Sequence, residues 1–285
     1  MSELDRRTEA RAEEPAPARS DSALNAARHE MRRVMIRHPA LYLPLARRRH
    51  RHGAICAETQ IVIDGFTRSA VTFALVAFQL AQNDTVRTAH HLHALAHLMA
   101  GVKRGLPVLV PIRPPEDTVL SAAIREPEAS VGQWLRSYVD FYRGLPPLAH
   151  GLVIATFDDV TSDFGAVTHR VNQRFGTSFM EFQHSASEVA TVFDLIDERA
   201  SRPPWQPLLG EFLGGMISYD EFQRLTKVDR DAVEMRAIPE LRVQRPSAAR
   251  DELKAELRET YLAPRLERHR RRAEQLYREA AALAT

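Results

Sequence analysis

The stretch Ile61-Val62-Ile63-Asp64-Gly65-Phe66-Thr67-Arg68-Ser69-Ala70-Val71-Thr72-Phe73 constrains this chain more than any other. Its first three residues are β-branched, which suits a buried strand. A glycine follows, then a basic residue flanked by hydroxyls, then an apolar run with helical spacing. Strand, tight turn and helix N-terminus in that order aim backbone N–H groups at one point, the plan of a phosphate cradle. The loop is not a Walker A sequence, because the second glycine and the Gly-Lys-Ser/Thr ending are missing.

Apolar runs recur downstream. Strands are predicted over 61–66, 85–89, 107–113 and 152–157. Helices are predicted over 69–82, 93–104, 115–125, 130–144 and 161–175, with Pro115, Glu116 and Asp117 in a first turn that the helix dipole favours. Strands alternating with helices predict an α/β fold, a parallel sheet with helices on both faces. Ligands of such sheets bind at the carboxyl ends of strands, where Gly65–Arg68 and Arg113 fall.

The chain divides into three parts. Residues 1–57 read as a disordered start to about residue 20, a helix over 22–37, and a linker holding Pro39, Pro44 and the basic run 47–52. Residues 58–182 form the α/β core. Residues 183–285 read as a helical lid broken at Pro203, Pro204, Gly214, Gly215 and Pro239, then one long helix to about Ala282 with Ser247 as N-cap. Phe212, Met216, Ile217 and Phe222 suit either a lid lining or a core. The long helix packs in cis or pairs with another chain, which leaves a homo-oligomer open.

Composition narrows the function. The net charge of +2 argues against bulk nucleic-acid binding, and the single cysteine, Cys56, excludes an intrachain disulfide and a cysteine-based zinc site. No stretch approaches the roughly 20 apolar residues of a membrane span, and the polar, acidic start is not a signal peptide, so a cytoplasmic protein is expected.

Arg113 ends a strand and Ser121 lies eight residues on, in the next helix. An arginine fork with a hydroxyl suits a phosphate monoester. Between the two basic loops lie His90, His91, His93 and His97. A neutral imidazole near pH 7 suits a general base. A metal site competes, since His93 and His97 would share a helix face, but no Asp or Glu sits among them in sequence and H-E-x-x-H is absent. No metal is therefore assigned.

These segments resemble the sulfotransferase family, over residues of about 58 to 180 and more loosely beyond. G-F-T-R-S-A-V-T-F at 65–73 is similar to the family's first cofactor loop, G-F-P-R-S-G-N-T-F or Y-P-K-S-G-T-T-W. R-P-P-E-D-T-V-L-S at 113–121 matches R-x-P-x-D-x-x-x-S, whose arginine and serine hold the cofactor 3′-phosphate. A K-T-H segment supplies the catalytic histidine of many members a little over twenty residues before that arginine; His91 precedes Arg113 by 22 and His90 by 23. Residues 155–160 and 171–176 resemble later family segments.

The resemblance implies a P-loop-like fold and a cofactor, 3′-phosphoadenosine 5′-phosphosulfate (PAPS). Gly65, Phe66, Thr67, Arg68, Ser69 and Thr72 would cradle the 5′-phosphosulfate, with Arg68 also serving catalysis. Arg113 and Ser121 would hold the 3′-phosphate, Phe73 and Phe157 would contact adenine, and His91, or else His90, would deprotonate a small-molecule or carbohydrate acceptor. Ala70 and Val71 replace the family's Gly and Asn or Thr, which raises a second expectation: a catalytically silent nucleotide-binding or scaffold protein of the same fold. A nucleotide-dependent kinase is disfavoured, since no Walker lysine or acidic magnesium ligand is evident. The third cofactor element, R-K-G, is absent, with Arg242, Arg245 and Arg250 near its place.

Overall fold

The computed structural model describes residues 19–50, 52–232, 238, 245 and 247–284. Two helices, α1 (Arg19–Met35) and α2 (Pro39–Arg49), precede the first strand, β1 (Ile61–Ile63). Next come α3 (Val71–Ala81), β2 (Thr88–His90), α4 (Leu95–Lys103) and β3 (Val108–Ile112). Then follow α5 (Pro115–Arg125), α6 (Val131–Arg143), β4 (Val153–Thr156), α7 (Phe157–Ser162) and α8 (Phe164–Phe175). Further helices among the described residues are α9 (Ala186–Ser201), α10 (Gln206–Leu213), α11 (Tyr219–Ala232), α12 (Ala248–Leu262) and α13 (Glu267–Ala281).

The fold is α/β, with four parallel strands in the order β2-β1-β3-β4. Alternate residues serve opposite faces. Val62, Val108, Val110 and Ile112 join the core beneath α4, α5, α6 and α13. Ile61, Ile63, Leu109 and Val153 join the core beneath α3, α8, α9 and α10. Burial on both faces explains why these strands are continuous apolar runs. β2 and β3 flank β1 on opposite sides, so a crevice opens beyond the carboxyl ends of β1 and β3.

Several boundaries differ from the sequence expectation. Pro39 opens a helix in its first turn, where a missing N–H costs nothing, so much of the expected linker is α2. Tyr42 and Ala46 of α2 pack with Leu92, Ala94 and Ala96, and the Tyr42 hydroxyl donates to the Leu92 carbonyl at 3.0 Å. Arg47, Arg48 and Arg49 finish α2, exposed, where the dipole favours cations. The strands are shorter than expected, and the helix expected over 161–175 is two, α7 and α8. Asp163 caps α8 by accepting the Ala166 N–H at 3.0 Å.

The single C-terminal helix expected is also two. Pro264 starts a 3-10 turn, Pro264–Leu266, and turns the chain by lacking an N–H. The expected cap at Ser247 is present. α13 packs in cis against α6. Phe212 and Phe222 stack in the core at 5.6 Å. The expected disorder before residue 19, Pro239 and Arg242 lie outside the described residues. Among the described residues no helix is long and apolar enough to cross a membrane.

The outer edge of β2 is closed by loops. The Thr88 N–H donates to the Gly214 carbonyl at 3.2 Å and the His90 N–H to the Gly53 carbonyl at 2.8 Å. Gly215 makes this closure possible: its φ is +65°, and a Cβ there would lie 1.8 Å from the Val86 oxygen.

Candidate functional site

The loop after β1 is built around Asp64, which is fully buried. Its carboxylate accepts the N–H groups of Gly65 (2.9 Å), Leu92 (3.1 Å) and His93 (3.1 Å), and the His97 Nδ1–H (2.7 Å). One carboxylate thus ties the β1 loop to the β2 loop. Burial alone would raise its pKa; the hydrogen bonds from His93 and His97 outweigh that and hold it well below the usual carboxylate range. Gly65 runs so close to β3 that a Cβ would lie 2.6 Å from the Pro111 oxygen. Arg68, Ala70, His91 and His93 all have positive φ, between 50° and 69°. They are four of the six such non-glycine residues described, so backbone strain is concentrated in these two loops.

A cavity of about 720 Å³ opens above the crevice, within the range of ligand pockets. All four strand ends contribute: Thr67 and Arg68 after β1, His91 and His93 after β2, Arg113 after β3, and Phe157 after β4. Thr72 and Phe73 come from α3, Ser121 from α5, Arg199 from α9 and Arg250 from α12.

Guanidinium groups converge on Ser121. Arg68 Nε donates to its Oγ at 2.8 Å and Arg250 Nη2 at 3.1 Å. Arg113 Nη1 reaches the Arg68 carbonyl at 3.4 Å. Burial, and then the charges of Arg250, Arg125 and Arg113, push the Arg68 pKa down to about 9. No carboxylate pairs with Arg68 among the described residues. A buried guanidinium without a carboxylate suits an anionic ligand.

Arg113 is held at both ends. Tyr138 and Tyr142, stacked at 3.9 Å, donate their hydroxyls to its carbonyl at 2.8 and 3.2 Å, and Tyr142 accepts its N–H at 3.0 Å. Its guanidinium lies 4.2 Å over the Phe157 ring and 3.6 Å from Asp117.

The histidines divide by their partners. Arg199 Nη1 lies 3.0 Å from His91 Nε2. A guanidinium only donates, so His91 Nε2 is the acceptor and its proton sits on Nδ1, 3.0 Å from His90 Nδ1. Burial, then Arg199, hold His91 well below its ordinary pKa and push His90 down to about 3. His93 differs. Its Nδ1 lies 2.9 Å from the Gly65 carbonyl and 3.4 Å from Asp64, both acceptors, so Nδ1 carries a proton. His97 is buried against Asp64. Among the described residues no group of three or more His, Cys, Asp or Glu is placed to hold a metal ion.

Of the site residues inferred from sequence, Thr67, Arg68, Thr72, Phe73, His91, Arg113, Ser121 and Phe157 meet at one cavity. Gly65, Phe66 and Ser69 stand behind the loop. Phe66 turns into the core against Tyr138 and Phe141, and the buried Ser69 hydroxyl donates to the Phe66 carbonyl at 2.6 Å. These three shape the cradle without lining it. Of the C-terminal arginines, Arg245 pairs with Asp194 and Asp197, whereas Arg250 reaches Ser121. Sequence reading missed Arg199 and Asp64. Asp64 carried a signal, an acidic residue inside an otherwise apolar strand end. Comparison with protein-family models, curated proteins and solved structures found no match to this chain.

Proposed function

We propose that the cavity binds PAPS and that the protein is a sulfotransferase-like enzyme of P-loop-like fold, acting on an acceptor hydroxyl or amine. One observation carries the reading: Arg68 and Arg250 both donate to Ser121, Arg113 reaches the Arg68 carbonyl beside them at the switch point of the sheet, and Arg68 lacks a carboxylate among the described residues. The residues fit the group. Arg113 and Ser121, with Arg250, suit the 3′-phosphate; Arg68, Thr67 and Thr72 suit the 5′-phosphosulfate; Phe73 and Phe157 offer apolar faces to a base.

When bound, the cofactor would supply an activated sulfuryl group, whose S–O bond to phosphate would break with its electron pair on the phosphate oxygen while a new S–O bond formed to the acceptor, which would release a proton. The chain's own part is to orient and to stabilise charge with preorganised donors. An imidazole of the β2 loop takes the proton. His91 holds the position that the family resemblance implies and reaches the cavity, with Arg199 on its Nε2. His93 stands beside it, 5.5 Å between ring centroids, with its Nδ1–H anchored. That Arg199 contact favours one second reading, a catalytically silent nucleotide-binding or scaffold protein of the same fold.

Ligand-induced melting tests the cofactor. Adenosine 3′,5′-bisphosphate should stabilise the chain more than ATP with magnesium does. Arg113→Ala should weaken the bisphosphate by roughly 2–4 kcal/mol and adenosine 5′-phosphate far less. Equal losses for both nucleotides would refute the 3′-phosphate assignment. Turnover of labelled PAPS then separates enzyme from silent binder, and His91→Ala against His93→Ala identifies the base.

A further inference from the structure

We infer that Arg199 is a further catalytic residue, whose guanidinium grips the oxygens of the sulfuryl group as it passes from cofactor to acceptor; this rests on the function proposed above. The first ground is position. Arg199 Nη1 donates to His91 Nε2 at 3.0 Å and lies 3.4 Å from Thr72 Oγ1. Thr72 belongs to the phosphosulfate side of the cavity and His91 to the acceptor side. A group touching both stands on the boundary that the sulfuryl group crosses.

The second ground is charge. No carboxylate pairs with Arg199 among the described residues, and its Nε and Nη2 have no hydrogen-bond partner there. Its neighbours are treated differently. Arg230 is paired with Glu198, and Arg245 with Asp194 and Asp197. A guanidinium half-buried on a cavity wall gains from such a partner, and Arg199 has none among the described residues. Arg199 lies in the last turn of α9, where an arginine often serves that helix's carbonyls. Among the described residues no carbonyl accepts from it; it points across the cavity to another element.

The third ground is fixity. Glu198, the preceding residue, accepts two guanidinium N–H groups of Arg230 at 2.8 and 2.9 Å and the Trp205 indole N–H. Leu195 and Ile196 of the same turn are in the core. The turn that carries Arg199 is therefore held from both sides. Charge spreads over the peripheral sulfuryl oxygens during transfer, and a planar fork with free N–H groups, preorganised there, stabilises it without reorganising.

The test uses the full chain saturated with adenosine 3′,5′-bisphosphate, with inorganic sulfate as the probe of the sulfuryl position. Calorimetry measures the two ligands separately. Sulfate should bind the bisphosphate complex and shift the His91 Nε2 nitrogen resonance. Arg199→Gln should weaken sulfate by about 10- to 100-fold, the loss of charge-assisted bonds, and leave the bisphosphate within about twofold. Arg199→Lys should fall between. Arg199→Gln should also raise the titration midpoint of His91, which a purely structural arginine elsewhere would not do. Sulfate affinity unchanged in Arg199→Gln, or a parallel loss of sulfate and bisphosphate, would overturn the assignment. If Arg199→Gln does not fold, an unmoved His91 resonance in the sulfate-titrated wild type overturns it equally. Failure of the bisphosphate itself to bind would instead refute the cofactor reading, and the role of Arg199 with it.

Discussion

Ala70 shows how a single residue limits this site. It forms the N-cap of α3 at φ 69° and ψ 16°, a left-handed conformation that costs an L-residue roughly 1–2 kcal/mol. Ala70→Gly removes that strain and returns part of it as unfolded-state entropy, roughly 0.5–1 kcal/mol. The chain should therefore gain up to about 1 kcal/mol, and the relaxed loop should bind adenosine 3′,5′-bisphosphate more tightly. A melting curve and a titration check both; no change in either counts against the strain argument. Val71 is buried, so Val71→Asn would add a desolvation cost to the same comparison. Arg68, Arg113 and Ser121 were legible through motif resemblance, since spacing after an apolar run did not by itself single them out. Arg199 was not, since its partner His91 is 108 residues away and no local pattern marks the pair. Arg250 reaches Ser121 across 129 residues and could only be named among three.

Elements were legible where periodicity ran long and illegible where one proline reversed meaning. Pro39 reads as a terminator and is an opener, because its missing N–H falls in a first turn. Pro264 passes unnoticed inside a strong helical pattern and breaks it. The helix over 130–144 was legible, but not the task of Tyr138 and Tyr142 in holding the Arg113 backbone, which depends on a neighbouring strand end. At this scale Glu198 joins α9, Trp205 and α11 through Trp205 and Arg230. Glu198→Ala leaves a guanidinium and an indole N–H without their acceptor. It should destabilise the chain by roughly 2–4 kcal/mol, read by denaturant melts. Glu198→Gln, which still accepts from Trp205, should cost less; equal losses would place the effect elsewhere.

For the whole molecule, alternation of strand and helix gave the layers, but strand order is a long-range property that no local window carries. The order β2-β1-β3-β4 is what brings four separate loops to one cavity. The same convergence makes stability depend on pH. Burial first, then Arg199, depress His90 and His91, so both fold neutral. The unfolded chain titrates near 6.5 and holds more protons below that value. Stability is full above about pH 6.5 and falls on acidification, by about 1.4 kcal/mol per pH unit for each such histidine well below it. Asp64, also depressed, adds its loss only below about pH 4. Melting temperature should drop from pH 7 to 5, and His90→Gln should flatten the drop; a flat wild-type profile would contradict the burial of neutral imidazoles.

The loop carbonyls of Gly53 and Gly214 that close β2 have a consequence for the protein in company. An open strand edge is a template, and at high concentration it recruits strands from other copies. Here its two outward donors, Thr88 and His90, are already taken. Damage to the closure should therefore show as clouding of a concentrated solution. One strand thus carries both the guarded edge and, through the His90 ring against His91, a support of the cavity.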